Sequence, residues 1–159
     1  MKTWICLLIS ICCILLLGCG RKSSGLWGLE LTGVEKVDLL DLHNFSRASK
    51  NISPLSMQLE LDRCAQMHAE WMSKNENMSH EEDSKDNFDV GDRLRKYIAW
   101  LSVGENIAYG QDTPTMVTDD WMNSAGHRRN ILSSNYKHVG FGISTSANGN
   151  KYWCAVFSN

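Results

Sequence analysis

The chain has 159 residues and a formal net charge of −2, and it contains no run of basic residues, which argues against nucleic acid as a partner. A length of this order suits one folded domain. Six cysteines are present, but only Cys64 and Cys154 lie beyond residue 20. In an oxidising compartment these two can pair, and otherwise they pack as two buried thiols; the sequence favours neither alternative.

The N-terminus has the pattern of a secretory signal peptide. Residues 4–18 are almost entirely apolar and follow Lys2. The apolar run is shorter than the roughly 20 residues that span a bilayer. Residues 16–19 (Leu-Leu-Gly-Cys) have the form of a bacterial lipobox, in which Cys19 would carry the lipid, and the small residues beside Cys19 also suit an ordinary signal peptidase. We therefore predict a signal peptide over residues 1–20 and an extracytoplasmic protein, either secreted or lipid-anchored at the cell envelope.

Two helices are predicted next. Residues 21–33 are rich in glycine and serine and lack periodicity, which indicates a linker before a domain over 34–159. The hydrophobic spacing of residues 34–48 predicts a first helix, which the serine before Pro54 ends. A second helix is predicted over 57–74, capped by Ser56, because apolar residues recur at intervals of three and four. His68 lies in that apolar stripe, and we interpret it as a packed helix residue rather than a ligand.

The middle of the chain alternates loops and short elements. Residues 81–89 are acidic, and their spacing fits no calcium loop, so we predict a solvated loop. A short helix is predicted over 90–100, and a strand over 102–108. Thr113 followed by proline is typical of a helix start, and this helix is predicted to run to residue 123, with Gly126 as its break.

The C-terminal segment predicts a β-hairpin. Residues 137–144 alternate in the manner of a strand, an Asn-Gly-Asn turn occupies 148–150, and residues 152–157 form the partner strand. Helices first, one strand in the middle and a hairpin last predict an α+β domain with helices packed on a small sheet.

Three residues with reactive side chains stand on separate segments: His80, Glu105 and His127. Two imidazoles can bind a borderline metal ion, and a nearby carboxylate can orient a ligand or a bound water. Without a metal, the same groups form an acid–base cluster, because histidine titrates near neutral pH. Only the fold can bring residues this far apart in sequence into one cleft.

These segments resemble the CAP superfamily, which includes cysteine-rich secretory proteins, insect venom antigen 5 and plant pathogenesis-related proteins. The matching segments are Met78-Ser79-His80, Gly104-Glu105-Asn106-Ile107-Ala108, residues 121–132 (Trp-Met-Asn-Ser-Ala-Gly-His-Arg-Arg-Asn-Ile-Leu), Gly140-Phe141-Gly142, and residues 152–157. The resemblance covers about residues 34–158 and is to the short form common in bacterial members.

The resemblance implies an α-β-α sandwich: a small antiparallel sheet with helices on both faces. The family cleft holds two histidines and two glutamates, and His80, Glu105 and His127 would fill three of these places, with Asn106 and Ser124 supporting the cleft. Ser124 stands where the animal form has its second glutamate. Because serine is a poor ligand for zinc, the resemblance implies weak Zn²⁺ binding by His80 and His127, with Glu105 behind them.

The function implied is that of a non-enzymatic extracytoplasmic binding module, acting as a monomer. Its partners would be a lipid, a sterol or a cell-surface ligand, and it would meet a membrane only through an N-terminal lipid anchor. The alternative is a metal-assisted, protease-like hydrolase in which Glu105 serves as the base in the same cleft.

Overall fold

The computed structural model describes the chain from Leu26 to Asn159, with side chains from Gly33 onward, so the predicted signal peptide and Cys19 lie outside the described residues. The helices and strands within this part are, in chain order, α1 (Leu26–Ala48), β1 (Ser56–Met57), α2 (Leu59–Asn75), α3 (Val90–Leu94), β2 (Val103–Tyr109), α4 (Pro114–Asn123), α5 (Ala125–Ile131), β3 (His138–Thr145) and β4 (Lys151–Ser158). None of the described helices is long and apolar enough to cross a membrane.

The four strands form one sheet in the order β1-β3-β4-β2. The short β1 runs parallel to β3, and the other pairings are antiparallel. Strand β4 is central, and its residues from Tyr152 to Ser158 are buried on both faces. The α2 helix covers one face of the sheet, and α1, α4 and α5 cover the other. The predicted α+β fold, an α-β-α sandwich with helices on both faces of the sheet, is therefore confirmed.

Side chains that alternate along β4 divide the core in two. Trp153, Ala155 and Phe157 belong to the cluster on the α1 and α4 side. Cys154 and Val156 belong to the cluster beneath α2. This alternation is the period of two that a strand imposes, and it leaves no solvent-exposed sheet face along β4.

The α2 helix lies unusually close to β3 because β3 carries glycine where the two meet. A Cβ built on Gly140 would lie 2.1 Å from the backbone nitrogen of Asp62, and one on Gly142 would lie 2.1 Å from the carbonyl oxygen of Ala65. At this close contact the carboxylate of Asp62 accepts a hydrogen bond from the backbone N–H of Phe141 at 2.7 Å. The close packing fixes the position of α2 relative to the sheet.

Two predicted helix starts are wrong. The first helix begins at Leu26, inside the segment predicted as a linker, because leucine and glutamate extend an existing helix at little cost. The second helix begins at Leu59 with Gln58 at its N-cap position, so Ser56 is not the cap. The backbone N–H of Ser56 instead donates to the carbonyl of Lys137 at 3.0 Å, which holds Ser56 in the extended β1 strand.

Two predictions in the middle of the chain are also corrected. The helix predicted over 90–100 ends at Leu94, after which the chain turns. The break after α4 occurs at Ser124, whose ψ of 123° is extended, and Gly126 lies inside the following helix α5. The other elements are confirmed, including the Thr113 cap, which accepts from the N–H of Met116, and the terminal hairpin.

Candidate functional site

Glu105 is the centre of a buried polar cluster. It lies on the face of β2 that packs toward α2, and its side chain is 3% exposed. His80 Nδ1 lies 2.8 Å from Glu105 Oε1, and Arg93 Nη2 donates to Glu105 Oε2 at 2.5 Å. The thiol of Cys154 also faces Oε2, at 3.6 Å. Both oxygens of the buried carboxylate are therefore already engaged.

These contacts keep Glu105 ionised. Burial by itself would raise the pKa of its carboxyl group. The hydrogen bond from His80 and the positive charge of Arg93 outweigh that effect, so the pKa of Glu105 lies below its ordinary value of 4.5. At neutral pH Glu105 is a carboxylate that accepts hydrogen bonds and holds its neighbours in place.

Arg93 connects this carboxylate to the loop before it. The residue lies on α3, whose N-terminus is capped by Asp89, and its side chain is 4% exposed. Its Nη1 donates to the backbone carbonyls of His80, Asn87 and Phe88 at 3.1 to 3.4 Å. One guanidinium group thus fixes both the carboxylate of Glu105 and the backbone that carries His80.

A second buried pair, His68 and Glu82, lies next to Glu105. His68 Nδ1 is 2.8 Å from Glu82 Oε1, and His68 Nε2 is 2.9 Å from the carbonyl oxygen of Ser79. Burial lowers the pKa of His68 despite the opposing charge of Glu105. Both ring nitrogens of His68 face acceptor oxygens.

His80 is the exposed member of the cluster, with 55% of its side chain accessible. Because Glu105 is ionised, Nδ1 of His80 carries the proton of their shared hydrogen bond. Nε2 makes no hydrogen bond within the described part of the chain, so it is the nitrogen available to a ligand. A carboxylate behind a histidine is the arrangement that orients imidazole for metal binding.

His127 lies near enough to His80 for the charge of His80 to act on it. His127 lies on α5 and is half-buried. Burial lowers the pKa of His127, and a positive charge on His80 lowers it further. The ring of His127 is therefore neutral at pH 7, which is the form that can donate a lone pair to a metal ion.

Two amide side chains hold α5 against β2. Asn106 Nδ2 donates to the backbone carbonyl of His127 at 3.1 Å. Asn130 Nδ2 donates to the carbonyl of Glu105 at 3.1 Å and to Asn106 Oδ1 at 2.9 Å. Asn106 therefore holds the backbone of His127 in place, whereas Ser124 lies at the junction of α4 and α5 and makes no side-chain cap hydrogen bond.

The donor set fits a metal ion only weakly. Within the described residues, no group of three or more histidine, cysteine, aspartate or glutamate side chains is arranged to hold one. Glu105 is engaged at both oxygens, which leaves the imidazoles of His80 and His127 as the side chains that would hold a metal ion. Two neutral nitrogens fit Zn²⁺ chemistry, but a structural zinc site ordinarily has four protein ligands.

Cys64 and Cys154 are both free and buried, and both pack in the cluster beneath α2. Burial raises the pKa of Cys64 to about 12 and also raises that of Cys154 well above its ordinary value. The structure therefore holds the free-thiol alternative of the two that the sequence left open.

Three members of the cluster were not predicted from the sequence: His68 as a polar partner, Glu82 and Arg93. Glu82 is buried although it lies in the acidic segment predicted to be solvated. A useful signal was available, because a histidine in an apolar helix stripe needs polar partners when it is buried. Arg93, which is buried on α3, supplies the positive charge that faces Glu82 and Glu105.

Comparison with known proteins identifies the family of this chain. The family model of the cysteine-rich secretory protein family, CAP, matches residues 40–157. The uncharacterized protein YkwD of Bacillus subtilis (strain 168) is 34% identical over 106 residues, which cover 65% of this chain and 40% of that protein. The uncharacterized membrane protein YlbC of the same organism is 34% identical over 118 residues, covering 74% of this chain and 33% of YlbC. The chain thus spans well under half the length of either relative.

Solved structures with the same fold include an extracellular protein containing an SCP domain from Bacillus anthracis str. Ames, with a TM-score of 0.70 and 26% identity over 80% of this chain and 41% of that one. An outer surface protein from Borrelia burgdorferi gives a TM-score of 0.69 at 18% identity, over 82% of this chain and 92% of that one. NaASP2 with Zn²⁺ gives 0.56 at 14% identity, over 77% and 78%. Because the family model matches most of its length, the chain belongs to the CAP, or cysteine-rich secretory protein, family.

Proposed function

We propose that this protein is a non-enzymatic extracytoplasmic binding module, whose cleft holds a divalent metal ion such as Zn²⁺ weakly between His80 and His127. The supporting observation is the 2.8 Å contact between His80 Nδ1 and the buried Glu105, which leaves Nε2 available on a side chain that is 55% exposed. Such a carboxylate partner fixes the orientation of the ring. The same opening would admit a polar or lipid ligand, a sterol or a cell-surface group.

A binding role suits Glu105 better than a catalytic one. A general base works best when its pKa lies near the operating pH. The pKa of Glu105 is lowered instead, and both of its oxygens are occupied by His80 and Arg93. Its role in the proposed site is to hold the tautomer of His80, rather than to accept a proton from a bound water.

Zinc titration by calorimetry at neutral pH tests the site. We expect weak binding that is lost in the His80→Ala, His127→Ala double variant, because both imidazole ligands are then gone. Glu105→Gln should weaken binding about 10- to 100-fold, the usual effect of removing the partner of a metal-binding histidine.

The control is His138→Ala, which removes a histidine that contacts Ser56 at 2.9 Å on β1, outside the cleft. That variant should bind zinc like the wild type. An isotherm unchanged by the double substitution, with the His138 control also unchanged, would refute the cleft as the metal site.

The alternative, a metal-assisted hydrolase, makes a different prediction. Turnover of peptide or ester substrates would have to disappear in Glu105→Gln while the fold, followed by circular dichroism, is retained. Detection of such turnover would overturn the binding-module proposal, whereas its absence across both substrate classes supports it.

We also propose export of the chain, with Cys19 as a site of lipid attachment or with plain secretion as the alternative. The extracellular protein of Bacillus anthracis and the outer surface protein of Borrelia burgdorferi, both of the same fold, support an extracytoplasmic location. The intact mass of the native protein distinguishes the two routes, because a lipidated Cys19 adds the mass of diacylglycerol and Cys19→Ser abolishes it.

A further inference from the structure

A second concave site lies at the C-terminal end of α2. It is a cavity of about 310 Å³, lined by Glu76, Met78, Tyr109, Asn148, Asn150 and Tyr152. Tyr109 and Glu105 stand four residues apart on the same face of β2, which corresponds to about 13 Å along a strand. This cavity, which we call the α2-end cavity, is therefore separate from the cleft of His80 and His127.

Two tyrosines form its aromatic wall. Tyr109 and Tyr152 are direct partners in the β2–β4 register, and their rings lie 4.9 Å apart with an interplanar angle of 53°. Tyr152 is 3% exposed, so it supports Tyr109 from below, whereas Tyr109 is 45% exposed. A phenol ring held open to solvent in this way offers a face with partial negative charge.

Glu76 supplies the one formal charge among the six residues that line the α2-end cavity, and that charge is negative. Glu76 is exposed at the lining, and its Oε1 accepts a hydrogen bond from Asn148 Nδ2 at 2.5 Å, which orients the carboxylate. Glu76 directly follows the last residue of α2, a helix of 17 residues whose C-terminal carbonyls carry partial negative charge. None of the six lining residues, all within the described part of the chain, is a lysine, arginine or histidine.

A metal ion does not match this lining. Calcium and magnesium sites use several oxygen ligands, and Glu76 is the single carboxylate here. A diffuse organic cation suits it better, because a tyrosine face, one carboxylate and a helix C-terminus attract positive charge over a broad area. Met78, which is 52% exposed at the edge of the cavity, adds an apolar surface for the substituents of such a cation.

We propose that the α2-end cavity binds an organic ammonium group, of the kind carried by choline or by a substituted amine. The ammonium lies against the ring of Tyr109 and near the carboxylate of Glu76. The source of the group is either a free amine or the headgroup of a choline lipid, since both present the same chemistry.

Nuclear magnetic resonance of the ¹⁵N-labelled protein tests the proposal with choline as the probe. We expect saturable shifts of the backbone amides of Tyr109, Tyr152 and Asn148. The neutral isostere 3,3-dimethylbutan-1-ol, which replaces the nitrogen of choline by carbon, should bind at least threefold more weakly. Equal binding of the isostere, or no saturable shift with choline, would overturn the proposal. Preference for an uncharged polar ligand such as N-acetylglucosamine over choline would also overturn it.

Variants assign the contacts. Tyr109→Leu and Glu76→Gln should each weaken choline binding at least threefold, whereas Glu81→Gln, which neutralises an exposed carboxylate outside the cavity lining, should leave it unchanged. The His80→Ala, His127→Ala double variant should also bind choline normally, so failure of the zinc proposal does not affect this one. Loss of choline binding in that double variant would place the ammonium in the cleft and overturn the proposal.

Lipid vesicles distinguish the source of the ammonium. Phosphatidylcholine vesicles that compete with free choline, where phosphatidylglycerol vesicles do not, assign the site to a lipid headgroup. Absence of competition by either vesicle assigns it to a free amine.

Discussion

Replacing Glu105 by glutamine tests whether the buried ion pair holds the cleft together. The change keeps the shape of the side chain but removes its charge and one of its two acceptor oxygens. Two strong donors, His80 Nδ1 and Arg93 Nη2, converge on this carboxylate. In the variant one donor meets the single amide oxygen, and the other faces an NH₂ group.

The expected loss in the free energy of unfolding follows from the burial of the Arg93–Glu105 pair. Arg93 is 4% exposed and Glu105 is 3% exposed, so removal of one partner leaves a charge that water cannot reach. Breaking a buried pair in this way costs about 3 to 5 kcal/mol. Arg93 keeps its bonds to three backbone carbonyls, which places the expected loss at the lower end, about 3 kcal/mol. For a chain of this size that corresponds to a fall in Tm of about 6 to 12 °C.

Urea unfolding at pH 7 measures the loss, and Asp92→Asn is the matched control. Asp92 pairs with Arg95 at 3.0 Å, but the side chain of Arg95 is 71% exposed, so the same carboxylate-to-amide change should cost less than about 1 kcal/mol. Equal losses in the two variants would refute the buried-pair argument. The acid dependence gives a second readout, because the pKa of Glu105 is lowered in the folded state. Its stabilising contribution is present above pH 4.5 and declines as the pH falls below that value, and Glu105→Gln should lack this part of the acid loss.

Three further predictions concern the core. Burial lowers the pKa of His43 from 6.5 to about 4, so as the pH falls this histidine is protonated in the unfolded chain before it is protonated in the folded protein. The free energy of unfolding should therefore fall by up to about 3 kcal/mol between those two pH values. Urea unfolding at several pH values should show that His43→Phe removes this pH dependence. Gly142→Ala should cost at least about 3 kcal/mol or prevent folding, because its Cβ would lie 2.1 Å from Ala65, whereas Gly33→Ala, with open space around it, should not lower Tm. Cys64 and Cys154 should react with a thiol reagent at pH 8 only after denaturation, since burial raises both pKa values, and a native disulfide would leave both unreactive in denaturant as well.

The elements that could be predicted from sequence are those whose signals are local. The Thr113-Pro114 pair starts α4 by its own chemistry, because Thr113 Oγ1 accepts the backbone N–H of Met116. The terminal hairpin follows from alternation on both sides of an Asn-Gly turn. Ser56 shows the limit of such signals, since a serine before an apolar stripe favours a helix cap, yet pairing with β3 holds it extended. That pairing joins segments 82 residues apart, which local patterns do not report.

The residues of the site also divide into those that local motifs predicted and those that depend on the fold. His80, Glu105 and His127 were identified through motifs that resemble one family. Glu82 was not identified, because an acidic loop favours solvent exposure. The burial of Glu82 depends on its contact with His68, which lies 14 residues earlier in the chain. Arg93 was missed for a related reason: its three carbonyl partners lie in a loop that only the fold places around it.

The arrangement of charge in this cluster bears on what the cleft can do. A catalytic acid or base must gain and lose a proton near the working pH, so it needs an environment that leaves both forms within reach. Glu105 has the opposite environment, because Arg93 and His80 both stabilise its ionised form. The fixed carboxylate in turn fixes the proton of His80 on Nδ1, and so presents a lone pair at Nε2 on the exposed side of the ring. A fixed carboxylate behind an exposed imidazole suits a cation or a hydrogen-bond donor, which supports the proposed binding role over proton transfer.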